Sequence, residues 1–439
     1  MDVLTRVEQE GAYSNLQLNS ALQRASLSRE DTGLATELVY GTVARLNTLD
    51  YFLERFVAKG LNKLQPWVRS LLRLSLYQMM YLDRIPPHAV VNEAVNLAKR
   101  RGHQGISGMV NGVLRNILRN REQLVLPEDL SPAKRIALEH SHPLWLVERW
   151  ISQYDEAVAE AICRANNEPP AVSVRVNTTM ISRDEMLAEM KEAGLDAVPS
   201  SLSPEGILVL SGGNMALSDW YRDGQISVQD ESSMLVAGAV GPASGMKILD
   251  CCAAPGGKTA HIAELMKDQG EIIANDLHEH KRKLIGEQAE RLGLDTIHTV
   301  TGNALELVQK YPAGSFDRIL LDAPCSGLGV IRRKPDLKWT KTAGDIGEIA
   351  SLQRELLDSV SSLLRVGGIL VYSTCTIDSE ENEGTVQHFL KTHPGFGLPE
   401  DAGEEWSKLH SKTEGVGVQI LPQDYHSDGF YIARLQRFS

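Results

Sequence analysis

The spacing of apolar residues changes twice along this chain, and each change predicts a different architecture. Up to about residue 140 almost every segment carries a helical period. The stretch from Arg69 to Met80 is too apolar for a surface helix and is expected in a bundle core. Pro86-Pro87 stops it, and Val90 to Lys99 resumes at helical spacing. Gly102, Gly105 and Gly108 are expected to interrupt the chain again before Met109 to Leu118. Residues 141–170 read as a helical linker ended by Pro169-Pro170.

After Ala171 the period shortens. Val172 to Val176 alternates as a strand, Ser182 caps a helix from Arg183 to Ala193, Gly194 closes it, and Ile207 to Leu210 is a second strand. A small α+β module over 171–231 is the expectation. From residue 232 onward, strands at 247–250, 272–276, 297–300, 318–322 and 369–373 alternate with helices at 259–266, 280–292, 346–364 and 380–390. A last strand covers Phe430 to Leu435. That order predicts a Rossmann-like α/β domain over 232–439, built on a doubly wound parallel sheet behind an all-α domain over 1–140.

Composition supports a multidomain soluble protein: 439 residues, 42% hydrophobic and 23% charged. No run approaches the roughly 18 apolar residues of a membrane span. The first residues, Met1-Asp2-Val3-Leu4-Thr5-Arg6, lack the plan of a secretory signal. Five cysteines, an odd number, argue for a reducing cytoplasm rather than a disulfide framework. The net charge of −12 looks wrong for a nucleic-acid partner until it is divided. Residues 1–143 hold 18 Lys and Arg against 14 Asp and Glu, while the remainder holds 27 against 43. The acid is therefore concentrated in the later domains, and local patches matter more than the total.

Two cysteines stand directly after predicted buried strands. One lies in Asp322-Ala323-Pro324-Cys325-Ser326-Gly327, the other in Tyr372-Ser373-Thr374-Cys375-Thr376. Ligands of open α/β sheets gather at the carboxyl ends of strands, so both thiols can converge on one crevice. Paired thiols facing a nucleotide pocket suggest covalent pyrimidine chemistry. Upstream, Ile248 to Thr259 reads as strand, glycine turn and helix, with Asp276 placed 19 residues after Gly257 to bind ribose hydroxyls. A P-loop would need glycine where Cys252 stands, and no GxGxxG occurs. A nucleoside without phosphates suits the loop better, and S-adenosylmethionine fits that description. His278 and His280 are spaced too poorly to share a helix face, adjacent Cys251 and Cys252 lack metal-site spacing, and no metal is expected. Cys163 reads as a small core hydrophobe.

Asp250-Cys-Cys-Ala-Ala-Pro-Gly-Gly-Lys-Thr259, Asp322-Ala-Pro-Cys-Ser-Gly327 and Ser373-Thr-Cys-Thr-Ile377 with Glu380-Glu-Asn382 resemble the NOL1/NOP2/Sun RNA cytosine-5 methyltransferases. Val228-Gln-Asp-Glu-Ser-Ser-Met234 and Val174-Arg-Val-Asn-Thr178 are similar to the same group. The helices through Val91 to Lys99 and Val110 to Arg115 resemble NusB. The combination resembles bacterial enzymes that methylate cytosine 967 of 16S ribosomal RNA.

That resemblance implies Cys375 as the nucleophile at cytosine C6, Cys325 as the thiol tied to product release, and Asp322 holding the cytosine edge. It implies that Cys252, Ala253, Ala254, Pro255, Gly256, Gly257, Lys258, Asp276, Asn303 and Asp322 line the S-adenosylmethionine site. At Asn303 the family usually has Asp, so a hydrogen bond to adenine would persist there without charge.

Two basic runs are candidate RNA contacts. Lys99, Arg100 and Arg101, with Arg115, Arg119 and Arg121, face only Glu93 across 91–121. Arg332, Arg333 and Lys334, with Lys338 and Lys341, face only Asp336. Both runs also fit a merely solvated surface. A monomer acting on 16S rRNA is the leading expectation. A tRNA cytosine-5 methyltransferase and a non-catalytic RNA-binding or antitermination factor are the alternatives.

Overall fold

The computed structural model describes every residue except 12, 212, 401–408 and 410–414. The chain divides into two units, Met1–Glu168 with Ile331–Lys341, and Pro169–Val330 with Thr342–Ser439.

The first unit is helical and is organised around the helix Pro66–Tyr81. Proline suits its first turn, where a backbone N–H has no partner to lose. Leu71, Leu72 and Leu76 share one buried cluster with Leu49, Leu53, Val110, Leu114 and Ile117. Gly102 ends the helix Pro87–Arg101, but Gly105 and Gly108 lie inside the next one, Gln104–Arg119. The expected break there does not occur. The His103 ring accepts from the Gly105 N–H at 3.2 Å, capping the helix, and Val110, Val113, Leu114 and Ile117 bury its face. That burial outweighs a glycine cost of about 1 kcal/mol per residue.

Residues 141–170, expected as a linker, form the helices Leu144–Gln153 and Glu156–Ala165, and all but the last two residues count with this unit. Trp150, Ile162 and Cys163 are completely buried, and the Asn47 amide donates to the carbonyls of Ala137 and His142. Burial raises the Cys163 thiol pKa, as suits a core hydrophobe.

The second unit holds two sheets. The smaller comprises β1 (Val172–Val176), β2 (Asp196–Pro199), β3 (Gly206–Ser211) and β4 (Ile226–Val228), in the antiparallel order β2-β3-β1-β4. Met186 and Met190 of the helix Arg183–Glu192 cover Val174, Val176 and Ile207. Ser182 caps that helix as expected, accepting the Glu185 N–H, and the Glu185 carboxylate accepts the Ser182 N–H in return.

The larger sheet contains β5 (Lys247–Asp250), β6 (Glu271–Asp276), β7 (Ile297–Thr301), β8 (Phe316–Asp322), β9 (Leu364–Thr374), β10 (Phe396–Gly397), β11 (Val418–Ile420) and β12 (Phe430–Arg437). Its order is β10-β12-β9-β8-β5-β6-β7, with β11 beside β12. The pairs β5–β6, β5–β8, β6–β7 and β8–β9 are parallel, and β12 closes the set antiparallel to β9. Asp250, Asp276, Asp322 and Thr374 thus end four strands of one sheet. No helix among the described residues is long and apolar enough to cross a membrane.

Candidate active site

The turn after β5 is built for close approach. Gly256 has φ of +101°, and a Cβ there would stand 3.2 Å from the Ile285 backbone, so only glycine fits without strain. The helix Gly257–Leu265 starts immediately after it. Asn275 donates to the carbonyls of Cys251 and Gly302 at 2.9 and 3.0 Å, tying this turn to the one after β7. Asp276 accepts from the N–H groups of Ala254 and His278.

A cavity of about 170 Å³ lies against the turn. Cys252 to Pro255, Gly257, Lys258 and Asp322 line it, as do Val228, Gln229, Ser233 and Asp250. Gly256, Asp276 and Asn303 do not. The Asn303 side-chain oxygen accepts the Leu305 N–H at 3.1 Å, so it caps a short helical turn.

Lys258 and Asp322 form an ion pair at 2.7 Å, and Ser373 donates to the other Asp322 oxygen at 2.8 Å. Burial opposes the Lys258 charge, but Asp322 outweighs it and holds the ammonium pKa above its ordinary value. Asp250 is 1% exposed, accepts from Thr259 at 2.7 Å through one oxygen, and leaves the other without a partner. Burial raises its pKa to about 7. Among the described residues Lys258 is the one cation lining the cavity, and Asp322 neutralises it, leaving the acid group of Asp250 as the other ionisable lining. Such a lining suits a ligand with donor groups and positive charge, and disfavours phosphates.

Sequence reasoning passed over Arg175, which is completely buried on β1. It forks onto Glu264 at 2.7 and 2.9 Å, donates to the Gly257 carbonyl at 2.9 Å and bonds Gln229. Its place in the quoted Val174-Arg-Val-Asn-Thr178 motif was the available signal.

The two thiols meet. Cys325 and Cys375 Sγ lie 3.4 Å apart, both half-buried. Strands β8 and β9 are in register with Asp322 opposite Ser373, so the loops leaving them start side by side. The Gly329 N–H donates to the Cys375 carbonyl at 3.0 Å, and a Cβ at Gly329 would collide with that carbonyl. The hydrogen bond with Cys375, then burial, then the charges of Glu381 and Asp322 push the Cys325 thiol pKa up. Cys375 lies near enough to Lys258 to help hold the ammonium charged.

The basic residues divide differently from expectation. Lys99, Arg100 and Arg101 are exposed on the last turn of Pro87–Arg101, where Arg101 pairs with Asp2 and stands over Trp67. Arg332 is 8% exposed and donates to the Ala165 carbonyl at 2.8 Å. Lys338 is completely buried and donates to the Ala44 carbonyl at 2.9 Å. These two cations are spent inside the helical unit, which corrects the phosphate-contact reading for Arg332 and Lys338 alone. Arg333 is half-buried and Lys334 exposed. His278 and His280 stack with centroids 5.5 Å apart, because His278 precedes its helix and the helical spacing rule does not apply to it. Of the cluster Glu139, His140 and Glu160, both carboxylates already pair with Arg135.

Comparison with known proteins agrees across the chain. Residues 1–119 match the NusB family, 142–216 a ferredoxin-like domain of RsmF/B-like methyltransferases, and 237–436 the family described as 16S rRNA methyltransferase RsmB/F. The probable ribosomal RNA small subunit methyltransferase B of Bacillus subtilis (strain 168) is 46% identical, covering 100% of this chain and 97% of its own. Ribosomal RNA small subunit methyltransferase B of Escherichia coli (strain K12) is 36% identical over 98% of this chain and 95% of its own. Among crystal structures, PH0851 superposes with a TM-score of 0.84 at 26% identity, covering 99% and 97% of the two chains. NSun6 from Pyrococcus horikoshii with SFG superposes with a TM-score of 0.61 at 26% identity, over 68% of this chain and 98% of its own.

Proposed function

The chain belongs to the ribosomal RNA small subunit methyltransferase B family, and from that premise we propose that it methylates C5 of a cytosine, number 967, in 16S rRNA through a covalent bond from Cys375 to C6. The observation that carries this reading is the pair of thiols 3.4 Å apart beside Lys258 and Asp322.

Cytosine C5 is a poor nucleophile until a thiolate adds at C6 and turns C5 into an enamine carbon. Cys375 suits that addition because the Lys258 ammonium lies close enough to favour its thiolate. Asp322, fixed by Lys258 and Ser373, would hold the cytosine edge and favour protonation at N3. The loop from Cys252 to Lys258, with the partnerless oxygen of Asp250, would hold S-adenosylmethionine. When bound, that cofactor supplies an electrophilic methyl group on a sulfonium. After transfer a base, the Cys325 thiolate in this reading, takes the C5 proton, whose bonding pair forms the C5–C6 double bond as the C6–sulfur bond breaks. Cys375 then departs as thiolate, and Cys325 serves that release. The target base must leave its stack, since C5 and C6 are closed off within a helix.

The test is transfer of labelled methyl from S-adenosylmethionine to unmodified 16S rRNA, with tRNA in parallel. One 5-methylcytosine in 16S rRNA is expected, absent with Cys375→Ala, while Cys325→Ala remains covalently attached to RNA. Normal turnover by both variants, or preference for tRNA, would defeat the proposal.

A further inference from the structure

Glu381 lies at the junction of the two cysteine loops and is completely buried. Its Oε2 accepts the Ser326 N–H at 2.8 Å and the Gln353 amide at 3.1 Å. Its Oε1 accepts the hydroxyls of Ser326 at 2.5 Å and Thr376 at 3.2 Å. Ser326 directly follows Cys325, and Thr376 directly follows Cys375. Those two hydroxyl oxygens lie 2.9 Å apart, so their two protons are shared among three oxygens. Gln353 extends the same bracket to the Pro324 carbonyl at 3.0 Å. Next along the chain, Asn382 accepts from Thr374 at 2.5 Å and donates to the Thr376 carbonyl at 3.0 Å. Every residue bordering a thiol on its far side from the strand is therefore held by one carboxylate.

Burying a carboxylate is costly, and an apolar side chain of the same volume would serve stability as well. What an apolar side chain cannot do is accept from both loops at once. Burial pushes the Glu381 pKa up, and the Ser326 donors pull it back. The other titratable groups facing the thiols are Asp322, Lys258 and Tyr372, with Asp378 near the carboxylate.

We propose that Glu381 is a positioning residue, setting the separation of the two thiols so that Cys325 reaches the adduct made by Cys375. The proposal rests on the roles given to the thiols above. It touches neither RNA nor cofactor binding, so its signature is a rise in trapped adduct rather than a loss of affinity.

Length separates position from charge. Glu381→Gln keeps the reach: its carbonyl can take the two N–H donors, while the two hydroxyls rotate to accept from its amide. Glu381→Asp keeps the charge but is one methylene too short to hold both loops. With unmodified 16S rRNA and S-adenosylmethionine, Glu381→Asp should lower kcat about tenfold with both KM values within about twofold. Denaturing gels should show its protein–RNA adduct rising towards that of Cys325→Ala, while Glu381→Gln stays near wild type. Should Glu381→Asp fail to fold, Ser326→Ala removes one hydroxyl of the bracket and must raise the adduct in protein that remains folded at the assay temperature. Wild-type behaviour of Glu381→Asp, equal impairment of the Gln and Asp variants, or no extra adduct in Ser326→Ala overturns the inference. Absence of adduct in Cys325→Ala overturns the reading of the thiols and this inference with it. Adduct in Cys325→Ala with wild-type behaviour of Glu381→Asp overturns this inference alone.

Discussion

The Lys258 ammonium stands 2.7 Å from Asp322 Oδ2, joining the first turn of the helix after β5 to the carboxyl end of β8. One contact thereby couples the turn proposed to hold the cofactor to the side of the site proposed to hold the pyrimidine. It also places a positive charge near Cys375.

Lys258→Met should break that coupling. Leaving the half-buried Asp322 without its charged partner is expected to cost about 2 kcal/mol in urea unfolding. Alkylation of Cys375 by iodoacetamide should slow in the same variant, since its thiolate loses a neighbouring cation. An unchanged alkylation rate would show that Lys258 does not act on the thiol.

Asp250 predicts a pH dependence of stability in the cofactor-free protein. Its folded pKa of about 7 lies above the ordinary 3.8, so the folded state keeps a proton that the unfolded chain releases. Its stabilising share is complete below the lower value and declines as pH climbs through the window to the higher one. Asp250→Asn has no such slope. The variant's stability relative to wild type should therefore rise by about 2 kcal/mol from roughly pH 5 to pH 8. Parallel pH profiles in chemical denaturation would contradict the burial argument.

Arg175 links the small sheet to the turn after β5, the proposed cofactor turn, through the Gly257 carbonyl. Arg175→Lys keeps one charge but loses the fork onto Glu264 and the third donor. Calorimetric titration should show S-adenosylmethionine affinity reduced about tenfold, or roughly 1.4 kcal/mol. Full affinity would mean that the turn holds its shape without this bond.

What could be read from the sequence was what is local in it. β1 alternates cleanly and is found at Val172–Val176 as expected. The Pro-Cys and Thr-Cys loops follow strands whose parallel register was implied by strand–helix alternation, so their convergence was foreseeable. Arg175, Asn275 and Glu381 were not, because their partners lie on distant segments and polar side chains carry no period. β2 and β4 escaped notice, since β2 buries a single residue and β4 has only three. Lys338 misled for the opposite reason: among charged neighbours it read as a phosphate contact, and only tertiary packing buries it.

That burial makes the last prediction a contrast between two lysines. Each lysine that neutralises a phosphate adds about one unit to the slope of log affinity against log salt. Lys338, with its pKa driven far below the ordinary value by desolvation, has its ammonium nitrogen on the Ala44 carbonyl. Lys338→Met should leave the salt slope of RNA binding unchanged, while the Ala44 carbonyl that loses its donor costs about 1 kcal/mol of stability. Lys99→Ala, on the exposed last turn of its helix, should lower that slope by about one unit without changing the melting temperature. Filter binding of 16S rRNA across a salt series decides both. A reduced slope for Lys338→Met would mean that the buried ammonium comes out to meet RNA, and an unchanged slope for Lys99→Ala would remove that helix end from the RNA path.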